Sequence, residues 1–259
     1  VAAYLKIERG QPEAAERMIK GLLDQDKSSP AFAHALGWAM MEQGDYIEAN
    51  RLMDSATDAE FSAVAYRVTL AESSHRQGSP KAAIKHLSAI IRPNMNPDHN
   101  LARAYLAALR LQAYGNLTTP SKLIEEFKSS KAEKSPRAQA YGHWAEAEFF
   151  LALGTSEMAD KALEAIGKAK EKWPDYPPFV ELEARAQLAK GNDEEAIALY
   201  EKAIAMEPLY RGIKWDLARL KSEREDDAAL TLVEELEKTG LDGPEYEIFR
   251  GEHALRKGD

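Results

Sequence analysis

Apolar side chains recur three and four residues apart along almost the whole chain, and glycine breaks the runs at regular intervals. That spacing places them on one face of an α-helix, so each run predicts a short amphipathic helix. Gly10, Gly44 and Gly78 stand 34 residues apart; Gly115, Gly154 and Gly191 follow at 37, 39 and 37, and Gly258 stands 67 further on. Each glycine allows the chain to reverse, which predicts a helical hairpin per interval. No convincing run of strand-like alternation appears.

The neighbours of these glycines recur in type. Seven residues before stand Ala3, Gly37, Ala71, Ala108, Ala147, Ala184 and Gly251, and five after stand Ala15, Ala49, Ala83, Ala159 and Ala196. Small side chains at both places let two helix axes cross closely. Nine residues after stand larger side chains, Ile19, Met53, Leu87, Ile124, Leu163 and Tyr200, which fill the space beside the crossing. One hairpin buries too little apolar surface to stand alone, so neighbours are expected to stack around a shared core.

The segments "ALGWAMMEQGDYIEANRLMDSA" (Ala35–Ala56) and "LAKGNDEEAIALYEKAIAMEP" (Leu188–Pro208) show this grammar most fully. Here the chain resembles the tetratricopeptide repeat family. The resemblance covers nearly the whole chain and implies an all-α, right-handed superhelical solenoid of stacked helix-turn-helix repeats. A concave groove lined by the first helix of each repeat is implied as well. Residues 1–259 are expected to form a single array, with repeats at 1–29, 30–60, 61–98, 99–134, 135–176, 177–209, 210–243 and a partial copy at 244–259. Departures are visible. Pro120 replaces the alanine after Gly115, Glu146 and Glu183 occupy a usually apolar position, and longer connections are expected at Pro93–Asn100, Ser129–Pro136 and Trp173–Pro178.

The seventh turn lacks its glycine. Leu217 and Ala218 fit if Glu225 takes its place, whereas Ala229, Val233 and Leu236 fit if Arg224 does, so the turn is one residue short. The eighth copy supplies only a first helix and the first copy starts partway through its own, giving fifteen helices. These open ends, and a chain beginning on Val, point to a larger parent protein.

Positions ten, six and three before each turn share one helical face, which the resemblance turns toward the groove. The candidate partner-binding residues are Tyr4 in the first repeat, then His34, Trp38 and Met41 in the second. Glu72 and His75 follow beside Val68, then Tyr105, Leu109 and Gln112. Trp144 and Glu148 follow beside Leu151, then Glu181, Arg185, Trp215 and Arg219. Three of the four tryptophans fall on this face, and their broad rings and single N–H suit capture of an extended peptide or a partner helix. The alternative for Trp38 and Trp144 is packing between first helices. The best-known peptide-binding members of the family grip a terminal carboxylate with Lys, Asn and Arg; here His34 with Trp38, Val68 with Glu72, and Tyr105 with Leu109 stand instead, so that clamp is absent.

Composition narrows the function. The 259 residues include no cysteine, which excludes disulfides, thiolate metal sites and cysteine nucleophiles. Residues 1–130 hold 15 acidic and 15 basic side chains and residues 131–259 hold 28 and 19, so the whole net charge of −9 lies in the second part. Such a surface repels phosphate backbones and attracts basic protein segments. No apolar run suits membrane insertion. The six histidines show no paired metal spacing, and His143 with Glu146 resembles a carboxylate metal site only weakly. The acids of "GNDEEA" read as helix-start charges rather than calcium ligands. No catalytic, cofactor or metal residue is assigned.

The sequence thus reads as a non-catalytic interaction scaffold within a larger multi-component assembly, binding a protein or peptide and no nucleic acid. In the first half, Trp38, Met41, Tyr105 and Leu109 are expected to supply apolar anchors, and in the second Glu148 and Glu181 to attract basic residues. The alternatives are a structural spacer or oligomerisation module that self-associates through its open ends, and an accessory domain of an enzyme encoded elsewhere in a longer chain.

Overall fold

The computed structural model describes residues 2–8, 11–23, 29–56, 63–91, 99–130, 135–174, 176–238 and 244–258, and among them it shows fifteen α-helices and no strand. They pair as predicted. The first hairpin is α1 (Ala2–Glu8) with α2 (Pro12–Leu23), followed by α3 (Pro30–Glu42) with α4 (Tyr46–Ala56) and α5 (Ala63–Arg76) with α6 (Pro80–Ile90). The central pairs are α7 (Asn100–Tyr114) with α8 (Thr118–Ser129) and α9 (Pro136–Ala152) with α10 (Ser156–Lys172). Then come α11 (Pro177–Ala189) with α12 (Asp193–Met206), α13 (Arg211–Glu223) with α14 (Ala228–Glu237), and an unpaired α15 (Pro244–Lys257).

The turns explain the glycine period. Gly44 adopts φ +79° and Gly191 φ +80°, a left-handed conformation that a side chain disfavours. In the seventh turn Glu225 takes φ +57°, the only such non-glycine residue described. Glu225 therefore holds the glycine's place, and the buried packing positions of α14, Ala229 and Val233, fall one residue early relative to it. Gly10 lies outside the described residues.

The small-residue code marks the helix crossings. Ala71, Ala108, Ala147 and Ala184 are wholly buried, and so are Ala49, Ala83 and Ala196 across from them. At Gly37 even a methyl group would meet Met53 Cγ at 2.7 Å and the Ala49 carbonyl oxygen at 3.0 Å. Pro120 is accommodated because it falls in the first turn of α8, where the missing N–H has no helical partner to lose. Glu146 and Glu183 are satisfied by ion pairs to the preceding hairpin: Lys128 of α8 reaches Glu146 at 2.6 Å, and Lys170 of α10 bonds Glu183.

Of the three long connections, residues 92–98, 131–134 and 175 lie outside the described set. Around the last, Tyr176 and Phe179 are buried and Trp173 stacks on Tyr176 with ring centroids 3.9 Å apart. The described aromatic side chains at its two ends are packed inward against one another.

First helices contact one another along the inner side, α3 with α5, α7 with α9, and α9 with α11. The array also curls far enough for α13 to touch α5. At this closure Leu209 sits so close to Gly44 that a Cβ there would approach its Cδ1 to 2.3 Å, while Gly212 lies against Gly78.

Candidate functional site

At the first end of the inner face, Tyr4, His34 and Trp38 come together. The Tyr4 hydroxyl is 2.9 Å from His34 Nδ1, His34 stacks on Tyr66 at 4.2 Å, and the Trp38 indole donates to Glu42 at 3.1 Å. Met41 is buried beside Tyr46, Met53 and Leu70.

The central candidates are core. Tyr105, Leu109 and Trp144 have no exposed surface. Trp144 packs near Tyr105, Tyr141, Tyr176 and Phe179, and its indole donates to Glu148 at 3.2 Å. Glu148 in turn accepts two bonds from Arg185, at 2.6 and 2.8 Å. Glu72 is buried and accepts from Arg137 and from the Tyr141 hydroxyl at 3.3 Å, with Arg76 3.8 Å away. Burial raises the Glu72 carboxyl, but the Arg137 and Arg76 guanidiniums outweigh it and hold the group below the ordinary carboxylate range.

The groove is crossed by the chain itself. The segment Glu207–Tyr210, which joins α12 to α13, lies against the second and third hairpins. Arg76 donates to Glu207 at 3.0 Å and approaches Glu42 at 3.2 Å, and the Tyr46 hydroxyl reaches Glu207 at 3.4 Å. The Tyr210 hydroxyl lies 3.1 Å from His75 Nδ1, and Tyr105 lies 3.2 Å from the same nitrogen. His75 Nε2 faces Gln112 Oε1 at 3.1 Å, which suits a neutral ring donating from Nε2 and accepting at Nδ1.

This crossing separates two cavities. One, of about 560 Å³, is lined by Trp38 and Met41 together with Arg76, Arg137, Trp173 and Leu209. The other, of about 520 Å³, gathers six of the candidates: His75, Gln112, Glu181, Arg185, Trp215 and Arg219. Trp215 and Arg219 also line a smaller hollow that continues along α15 past Ile248 and Phe249. Of the four apolar anchors expected in the first half, Met41, Tyr105 and Leu109 are consumed by packing and Trp38 stays half-buried on the first cavity, whereas Ile248 is 59% and Leu255 76% exposed at the opposite end.

The aspects missed from sequence are Arg76, Arg137, Asp216 and the tyrosines of the connections. A signal for the last was present. "WPDY" and "EPLY" place Tyr176 and Tyr210 at the same point of successive connections, 34 residues apart, and both rings turn inward. Among the described residues no group of acidic or histidine side chains is arranged to hold a metal ion, and none of their helices is long and apolar enough to cross a membrane. His143 instead bonds Glu146 at 2.9 Å, and Asp193 and Glu194 bond Arg224 of the next repeat.

Burial pushes His34 and His75 down to about 4. An unfolded chain would protonate them near 6.5, so the stability tied to their neutral forms is complete above that value and is lost as pH falls toward 4. Thermal melts should therefore drop between pH 6.5 and 4.5, with a shallower slope for His34→Asn. An unchanged slope would place the acid sensitivity elsewhere.

A family model described as tetratricopeptide repeat matches residues 34–97 and 148–211. The gap between them contains the stretched period and Pro120. No curated protein matches the sequence. Among solved structures, a tetratricopeptide repeat protein from Parabacteroides merdae is 16% identical with a TM-score of 0.51, over 97% of this chain and 96% of its own. A chain of the APC/C hetero-tetramer Cut9–Hcn1 is 11% identical with a TM-score of 0.56, and the match covers 97% of this chain but 48% of the other. The human IFIT1 dimer with PPP-AAAA is 20% identical with a TM-score of 0.56, over 90% of this chain and 58% of IFIT1. In period, paired-helix unit and stacked architecture alike, the chain belongs to the tetratricopeptide repeat family.

Proposed function

We propose that this repeat scaffold binds an extended or helical segment of a partner protein on the concave face of its C-terminal hairpins, as a non-catalytic component of a larger assembly. The observation that carries the reading is the cavity of about 520 Å³, open beside Trp215 and running on to the exposed Ile248. An aromatic ring at the edge of a concave surface, flanked by exposed aliphatic side chains and fixed polar groups, is the makeup of a protein-binding hot spot. The acidic excess beyond residue 130 favours a protein over a nucleic acid.

Affinity capture from the native source tests it with three baits: the wild type, a Trp215→Ala, Ile248→Ser double variant, and Ile47→Ser on the convex helix α4, where Ile47 is 56% exposed. A direct partner should be lost from the double variant and kept by Ile47→Ser, with all three equally helical by circular dichroism. Loss from Ile47→Ser alone would move binding to the convex side. Self-association through α15 would appear instead as a dimer-to-monomer change in the double variant by sedimentation.

A further inference from the structure

The carboxyl-rich corner of the C-terminal cavity is incompletely paired. Glu148, Glu181 and Asp216 converge there, and two guanidiniums answer them. Arg185 spends both its terminal nitrogens on Glu148. Arg219 is mostly exposed, lies over the Trp215 ring at 5.5 Å and comes only to 3.7 Å from Asp216. Glu181 is left over: it is 2% exposed, lines the cavity, stands 3.5 Å from Arg185, and its Oε1 has no hydrogen-bond partner. A buried carboxylate oxygen without a donor is costly to maintain.

We propose that the Glu181–Asp216 corner of this cavity is a cation subsite that takes the side chain of a lysine or arginine from the partner segment. The inference rests on the concave-face reading and gives it a chemical preference. An ammonium or guanidinium here would supply the third positive charge and donate to Glu181, while Trp215 and Tyr210 enclose its aliphatic stem. Until it arrives, a proton serves in its stead. Burial pushes Glu181 up to about 8, with Asp216 and Glu148 adding to the rise and Arg185 opposing it. Binding a cation therefore expels that proton, and affinity rises from pH 6 to pH 9, where lysine remains charged.

The groups facing Glu181 are Arg185 on its own helix, Glu148 from α9, Asp216 and Arg219 from α13, Tyr200 from α12, Tyr210 from the connection, and His75 across the cavity from α5. Burial keeps both tyrosines protonated and His75 neutral throughout this window. Asp216 is raised by the same burial, so Glu181→Gln and Asp216→Asn are titrated separately.

The probes are the capped peptides Ala-Lys-Ala, Ala-Arg-Ala and Ala-Gln-Ala, with spermidine as a free cation, each followed by the Trp215 indole resonance in nitrogen-15 spectra. The lysine or arginine peptide should saturate with a Kd on the order of 1–10 mM at pH 8.5. It should weaken several-fold at pH 6, and at least about tenfold in Glu181→Gln, with a smaller loss in Asp216→Asn; the glutamine peptide should be silent. Glu181→Gln should also melt higher than wild type at pH 8 and alike at pH 5, which shows that it folds. Equal binding of the lysine and glutamine peptides, no binding of either basic peptide, or full affinity in Glu181→Gln overturns the proposal. Spermidine binding far tighter than both peptides overturns the assignment to a partner side chain. A partner captured normally by Glu181→Gln but lost from the Trp215 and Ile248 variant overturns this inference and leaves the concave-face reading standing.

Discussion

Arg76→Ala should lower the melting temperature by roughly 10 °C and enlarge the particle. Arg76 is 7% exposed and its guanidinium ties Glu207 to Glu42, with Glu72 alongside, so one side chain joins the sixth connection to the second and third hairpins. Removing a cation from among buried carboxylates leaves them uncompensated, at a cost of about 3–5 kcal/mol. A chain of this size loses about 2–4 °C per kcal/mol. Part of the loss should be relieved at low pH, because burial already raises Glu207 and protonation would remove its need for a partner. Without the clasp, α13 has less to hold it on α5, and the curl should relax. Small-angle scattering would show this as a larger radius of gyration. An unchanged melt with an unchanged radius would mean that apolar packing of Leu209 on Gly44 closes the array by itself.

Trp144→Ala should cost about 3–5 kcal/mol, the range for deleting a wholly buried large aromatic. The void would open among Tyr105, Tyr141, Tyr176 and Phe179, and Glu148 would lose its indole donor. Urea unfolding should show a lower midpoint, whereas Trp38→Ala, at the half-buried first end, should cost far less. Any partner lost from Trp144→Ala would then be lost through the fold. If the variant unfolds at the wild-type midpoint yet releases a partner, Trp144 is a contact residue and its burial here opens on binding.

These two residues mark how much was legible in the sequence. Helix phase placed the paired helices and their described glycine turns; at the seventh turn it left Glu225 and Arg224 both open, and the backbone selects Glu225. Phase says which way a side chain points; it does not say how tightly the stack curls. Trp144 points inward as expected but is closed over by rings of the neighbouring repeats, Tyr105, Tyr141, Tyr176 and Phe179, while the opposite wall arrives over His75. That wall depends on pairs such as Tyr210 with His75 and Tyr46 with Glu207, 135 and 161 residues apart. No local period carries such information. Trp215 and Arg219, by contrast, share the inner face of α13 and line the C-terminal cavity.

The ion pairs Lys128–Glu146 and Lys170–Glu183 bear on a hazard peculiar to chains that repeat themselves. Hairpins with one packing grammar can dock on the wrong neighbour or exchange between molecules during folding. At the place of Glu146 and Glu183, other first helices carry Leu36, Leu70 and Leu217. A misplaced α9 or α11 would press a carboxylate onto an apolar partner helix, and a misplaced leucine would leave the half-buried Lys170 without its carboxylate. The two charged seams thus act as addresses that fix the order of assembly in the middle of the array, where the spacing between turns is least regular.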